Sequence, residues 1–440
     1  MRGSAAFRVA VAPGGALAGP WVQNSLWTAA HAVPSLDLRF ADNKSLVDAT
    51  TGASLVTFTR ASTGTFVDSD GVLRTATTNE ARFDHNPTTG ESLGLLVEEA
   101  RTNLLLRSEE FESASWINLN TTESSNVAVA PNGTLTADKL IENSGAGFKS
   151  IDQVLAISAL TYTFSIYAKA VERSIVQLLW SGGASTNFAN FNLATGTVTA
   201  GTYTSATITP AGSGWFRLSI TSALAAGTYS GIVSLQTNAS ATRAASYTGD
   251  GTSGFFIWGA QMEAGAFPTS YIPTTTATAT RAADVASITG TAFSSWYRQD
   301  EGTVFAEWVK NGSSNFQTMA AFSDGTSNNL IALTHGSGAP TNNARFDVNT
   351  GGVSQVTLVL VTGSVVGTSY KNTGTYKVND FAAASNGGSP LTDTSGSIPT
   401  TSQLTIGANS GAGFLNGTIK RLAFWPVRLA NNTLQAISQP

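Results

Sequence analysis

The chain has 440 residues, only 12% of them charged, a formal net charge of -4 and no cysteine. Ordinary globular proteins carry about 25% charged residues, so long surface helices with Glu, Lys and Arg on their outer faces are excluded as the main element. The charge balance offers no basic field for a nucleic-acid backbone. The missing cysteines exclude disulfides, thiolate metal sites and a cysteine nucleophile.

With 43 glycines and abundant Ser, Thr and Asn, the composition points to short strands joined by many turns. No run of apolar residues is long enough to suggest a membrane-spanning helix. Residues 1–34 are rich in Gly, Pro and Ala, and Pro13, Gly14 and Gly15 break the apolar run that a signal peptide would need. Trp21 and Trp27 need a partner surface that this segment cannot supply, which predicts an extended attachment arm. In "SLDLRF" (35–40), Leu36, Leu38 and Phe40 share one face of a first strand.

Residues 35–110 read as a strand-rich connecting region. "DSDG" (68–71) predicts a hairpin returning through Val72 and Leu73, and the stretch suits an Asx-type turn better than a calcium loop. "SLGLLVEEARTNLLLRSEEF" (92–111) permits a helix by composition, whereas Gly94 and Asn103 argue for short extended pieces. Residues 111–275 contain seven or eight strand candidates, the pattern of a jelly-roll β-sandwich. In "TYTFSIYAKA" (161–170), Tyr162, Phe164, Ile166 and Ala168 fall on one face. In "GFFIWGAQMEAG" (254–265), Phe255 and Ile257 oppose Phe256 and Trp258, as in a strand covered on both sides. "PTTTATATRAAD" (273–284) shows neither a core face nor turn chemistry, so residues 276–290 read as a linker. Residues 291–440 form a further sandwich, ending in a short helix with Leu429, Leu434 and Ile437 on one side.

Catalytic signatures are sparse. His31, His85 and His335 are far apart, with no zinc spacing, and neither a nucleophile elbow nor a phosphate loop occurs. Adjacent acids such as Glu98/Glu99, Glu109/Glu110 and Asp300/Glu301 point to opposite faces if extended, which does not suit glycosidic cleavage. Glu263 is the one acid beside aromatics. No cofactor is expected, although backbone carbonyls in the sandwich turns leave calcium open. For a saccharide, the candidates are Trp180 ahead of "SGGASTN", and Asp324, Asn328 and Asn342 in hydroxyl- and amide-rich turns.

The block "FTRASTGTFVDSDGVLRTATTNEARFDHNPTTGESLGLLVEEARTNLLLRSEEF" (58–111) resembles structural proteins of tailed bacteriophages, the tail-fibre and minor tail proteins. "GFFIWGAQMEAGAFPTSYIPT" (254–274) is similar to the closing strand of a carbohydrate-binding-module-like jelly roll. "GTVFAEWV" (302–309) and "FLNGTIKRLAFWPVRLANNTLQAI" (414–437) resemble a concanavalin A-like, laminin G-type sandwich. These resemblances imply an all-β virion protein of tandem sandwiches behind an attachment arm. They further imply a homo-oligomer, a trimer being favoured, held to other virion proteins through the arm and contacting host polysaccharide. A purely architectural spike, collar or fibre base is the alternative, and a glycan depolymerase has least support. Neither nucleic acid nor a membrane is expected as a partner.

Overall fold

A computed structural model describes residues 25–183, 185–312, 316–336 and 343–440. The described chain is nearly all β, arranged as two sandwiches with separate apolar cores.

The first sandwich packs two antiparallel six-stranded sheets. One runs Ser205–Pro210, Phe216–Leu224, Leu160–Ala170, Gly254–Ala264, Leu135–Glu142 and Thr121–Val129. The other runs Thr197–Thr202, Phe188–Asn192, Ile175–Ser181, Gly227–Gln236, Ser150–Ile157 and Ile117–Leu119. Strand side chains alternate between faces, so Tyr162, Phe164, Ile166 and Ala168 all enter the core, as their spacing predicted. Phe255 and Ile257 meet them from Gly254–Ala264, while Trp258 turns outward against Tyr167 and Tyr271.

The second sandwich differs from the sequence boundaries. Its eight-stranded sheet contains Ser92–Val97, Phe83–His85 and Leu36–Leu38 beside Glu301–Lys310 and Gly417–Trp425. Its seven-stranded sheet starts with Thr57–Thr59 paired to Val285–Thr289. Residues 35–110 are therefore no separate connecting region. They supply Leu36, Leu38, Phe40, Val56, Phe58, Leu95 and Val97 to a core shared with the last third of the chain. The first sandwich is inserted into the second.

The linker expected at 276–290 is likewise structured. Ala279–Arg281 pairs with Arg101–Asn103, and Val285–Thr289 lies between Thr57–Thr59 and Gln403–Ile406. Residues 92–103 take the extended alternative, and Gly94 shows why. Its φ is +88°, and a Cβ there would stand 2.1 Å from the Ile419 carbonyl oxygen, a contact only glycine permits.

The end of the expected arm is also part of the fold. In the helix Ser25–Ala30, Leu26 and Ala30 are buried against Trp425 and against Leu434 and Ile437 of the terminal helix Asn431–Ile437. Trp27 is half-buried on its own chain. Its Nε1 donates to Asp37 Oδ2 at 2.9 Å, and the Arg39 guanidinium lies 5.1 Å from its ring centroid. Its surface is thus partly taken by its own sandwich. Trp21 lies outside the described residues.

An isolated 285–440 fragment lacks four strands of this sandwich. It should show no cooperative thermal transition by near-ultraviolet circular dichroism, whereas the 25–440 chain should. A native-like transition in the fragment would contradict the insertion.

Candidate functional site

The two sandwiches meet over buried charge. Arg60 follows Thr57–Thr59, Arg82 precedes Phe83–His85, Glu98 follows Ser92–Val97, and Arg281 and Asp284 flank the turn into Val285–Thr289. Arg60 Nη1 donates to Asp284 Oδ1 at 3.0 Å, and Arg82 Nη2 donates to Asp284 Oδ2. Arg82 Nη1 and Arg281 Nη1 lie 2.9 and 3.2 Å from Glu98 Oε2. Glu98 also accepts from the Ser270 amide and hydroxyl at 2.8 and 2.6 Å. A third acid joins by relay: Arg281 donates to Thr269 Oγ1 at 3.0 Å, which donates to Glu263 Oε2 at 2.7 Å. Buried ions are tolerated only when paired and hydrogen-bonded, and three guanidiniums facing three carboxylates meet that condition. Glu263, the acid beside aromatics in the sequence, is fully buried and structural.

A cleft of about 590 Å³ opens beside this junction. Because Tyr162, Phe164, Leu218 and Ile220 face the core, Thr163, Ser165, Tyr167, Arg217, Ser219 and Thr221 face outward. Ser205, Thr207 and Thr209 extend this polar face along the edge strand Ser205–Pro210. The hydroxyls tie to one another, Thr163 to Thr221 at 2.8 Å and Thr207 to Ser219 at 2.7 Å. Residues 265–269 cross the inner part of this face, where the Gly265 carbonyl accepts from Thr163 at 2.9 Å. Thr207 and Thr209 stay exposed. Phe66 and Val67 of the 64–76 hairpin, Phe267, and the outer-sandwich loops at Asn311–Gly312 and Val366–Gly367 complete the walls.

Three charged residues among those described line the cleft. Arg217 donates to Thr269 O at 2.6 Å and Ser165 Oγ at 3.1 Å, and lies 5.4 Å from the Tyr167 ring centroid. Burial pushes the Glu98 carboxyl up, but Arg281 and Arg82 outweigh it and hold the group at about 2. Burial pushes Asp84 up to about 6, against the amide of Val67 that it accepts at 2.7 Å.

The candidates Trp180, Asp324 and Asn328 all lie away from this cleft. Trp180 was expected as a sugar platform, but Val176, Leu178 and Trp180 are successive inward positions of Ile175–Ser181. With 0% exposure and its ring 6.0 Å from Phe164, it is core. Asp324 and Asn328 share one exposed turn of the outer sandwich, where Asp324 accepts from the Thr326 amide at 2.9 Å and from Asn329 Nδ2 at 2.7 Å. Asn342 lies outside the described residues. Asp68 closes an Asx turn onto the Asp70 and Val72 amides at 3.0 and 2.9 Å, within the expected hairpin. His85 Nδ1 pairs with Val67 O at 3.0 Å and His335 Nε2 with Ser364 Oγ at 2.5 Å. Among the described residues, no three His, Asp or Glu side chains gather as a metal site.

Fold and cleft together define an all-β protein of two interlocked sandwiches with a cleft at their junction, walled by apolar and aromatic side chains and edged by a row of hydroxyls. No family profile and no curated relative matches the chain. Among solved structures, it is similar to the CBM40 of Ruminococcus gnavus IT-sialidase bound to α2,3-sialyllactose, at 13% identity over 33% of this chain and 87% of that one, TM-score 0.29. The NanB sialidase of Streptococcus pneumoniae matches at 13% identity over 34% of this chain and 26% of its own, TM-score 0.29. A SAP-like pentraxin from Limulus polyphemus matches at 16% identity over 32% and 70%, TM-score 0.25. Likenesses this partial say nothing about a ligand, so the functional reading rests on the cleft.

The two carboxyls set opposite pH limbs. Asp84 titrates above its unfolded value of about 3.9, so its contribution to stability is fully present below that value and is lost as pH rises through about 6. Asp138, also pushed to about 6 by burial, adds to that limb. Glu98 contributes above its unfolded value of about 4.3, and the contribution is lost as pH falls toward about 2. Urea midpoints from pH 2 to 8 should therefore peak near pH 4. Asp84→Asn should flatten the alkaline limb, and Glu98→Gln should remove the acid limb and cost about 3–5 kcal/mol at pH 7. Unchanged slopes in both variants would contradict this assignment.

Proposed function

We propose that the protein is a non-enzymatic, glycan-binding component of a tailed-phage virion surface, and that the glycan lies in the cleft between the sandwiches. The observation that carries the reading is the row of Ser205, Thr207 and Thr209 hydroxyls beside Phe66, Phe267 and Tyr167. Hydroxyls pair with sugar hydroxyls without desolvating a charge, and aromatic faces cover the apolar side of a pyranose. The volume of about 590 Å³ falls in the ordinary range for ligand sites. Glycosidic cleavage needs two carboxyls free to move protons on either side of the bond. In this cleft Glu98 is committed to Arg82, Arg281 and Ser270, which leaves Asp84 without a partner for that chemistry.

The phage assignment rests on the resemblance of residues 58–111. A trimer or other closed homo-oligomer would multiply weak glycan contacts into firm attachment to the host. Residues 1–24, with Trp21, serve as the virion contact, rooted by the docked helix Ser25–Ala30. The exposed turn bearing Asp324 and Asn328 is the second candidate glycan surface. The architectural alternative draws its support from the phage-like block itself, whose Arg60, Arg82 and Glu98 build the junction.

Host-cell polysaccharide binding should fall at least tenfold in Thr207→Lys/Thr209→Lys and should survive Asp324→Ala, with no reducing ends released by either protein. Wild-type binding by the double variant would remove the cleft from the account, and reducing-end release would make the protein an enzyme. A 25–440 truncation should fold normally yet be missing from assembled particles, as immunoblots of purified virions would report.

A further inference from the structure

We propose that the cleft takes a linear, uncharged oligosaccharide, held along its length over several sugar units and not by a charged terminal sugar. The proposal rests on the glycan-binding reading above and adds the class of glycan.

Charge is the first ground. The charged side chains facing the cleft are Asp84 and Glu98 from the 83–98 segment and Arg217 from Phe216–Leu224. The edge strand Ser205–Pro210, residues 266–271 and the loops at 311–312 and 366–367 contribute none. Glu98 is neutralised by Arg82 and Arg281. Arg217 gives one hydrogen bond from each terminal nitrogen to the neutral acceptors Thr269 O and Ser165 Oγ, with its face toward Tyr167. Asp84, pushed up to about 6 by burial, is still mainly ionised at neutral pH, accepts the Val67 amide and offsets the charge of Arg217. A sugar carboxylate entering here would meet one guanidinium, Arg217, already hydrogen-bonded to Thr269 and Ser165, together with the Asp84 carboxyl, so among the described residues the cleft holds no surplus of positive charge to offset the water it would lose. A neutral sugar carries no such penalty.

Shape is the second ground. A smaller cavity of about 100 Å³ shares Val67, Tyr167, Thr209 and Arg217 with the cleft and continues it to Pro87, Pro131 and Pro210. The site is therefore a groove, running from the outer-sandwich loops across the edge strand to a proline-lined end. Along that strand, the hydroxyls of Ser205, Thr207 and Thr209 recur about every 7 Å, Thr207 paired with Ser219 Oγ and Thr209 with Arg217 O, and each oxygen keeps capacity for a further hydrogen bond to a polymer of repeating hydroxyl groups. The prolines bring rigid apolar surface and no backbone donors, so the far end favours the apolar face of a further sugar.

The test is calorimetric titration of the full chain with neutral gluco-, galacto- and manno-oligosaccharides of one to six units, alongside sialyllactose and oligogalacturonates. At least one neutral series should gain tenfold or more in affinity between the disaccharide and the tetrasaccharide, independent of salt. Pro131→Arg, at the far end, should reduce tetrasaccharide affinity to the disaccharide level and leave the disaccharide unchanged. Thr209→Lys, at the shared wall, should abolish both. Tighter binding of the acidic sugars, or a monosaccharide equal to the tetrasaccharide, would overturn this proposal and leave glycan binding standing. Absence of binding by every sugar, neutral or acidic, would overturn both.

Discussion

The carboxylate of Asp284 is the constraint on which the rest of the structure depends. It accepts from Arg60, 224 residues earlier, from Arg82, 202 residues earlier, and from the Glu98 amide at 2.9 Å. One buried acid thus fixes three strand ends from before the inserted sandwich against the strand Val285–Thr289 that follows it. Taking these charges out of water is costly, and removing a single partner leaves the others stranded at about 3–5 kcal/mol. Such a network adds little as a stabiliser relative to an apolar core. Its consequence is specificity: no other register of Thr57–Thr59, Ser92–Val97 and Val285–Thr289 would satisfy all the donors. Contacts of this separation also carry a large loop-closure cost unless the inserted sandwich shortens the effective loop first.

The same network places the ligand surface. Thr269 and Ser270, which bind Glu263 and Glu98, belong to the tract that crosses the polar face of the inserted sandwich. Pinning that tract leaves Thr207 and Thr209 uncovered and sets Phe267 beside Gly312, where a Cβ would come within 2.3 Å of the ring. The cleft is therefore walled by both sandwiches. Its inner wall rests on a charged junction, which limits the ordering cost of binding there.

Much of the local structure was legible in the residues. The period-two alternation of "TYTFSIYAKA", the Asx turn at Asp68 and the apolar side of the terminal helix all depend on neighbours in sequence. The pairing of strands across the insertion was not, because nothing local distinguishes Thr57–Thr59 as the partner of Val285–Thr289. "PTTTATATRAAD" looked like a linker because its burial is ionic: Arg281 and Asp284 are its anchors, and an apolar periodicity search passes over them. Trp180 was readable, since Val176 and Leu178 precede it at the same parity. The cleft was half-readable. Alternation puts Thr207 and Thr209 outward, but their importance comes from a wall supplied by distant segments.

If the buried charges weld the two sandwiches, they should unfold together. Differential scanning calorimetry of the 25–440 chain at pH 7 should show one transition, and Asp284→Asn should split it into two, the outer sandwich melting first. Two independent transitions in the unmodified chain, or one unsplit transition at the same temperature in the variant, would contradict the account.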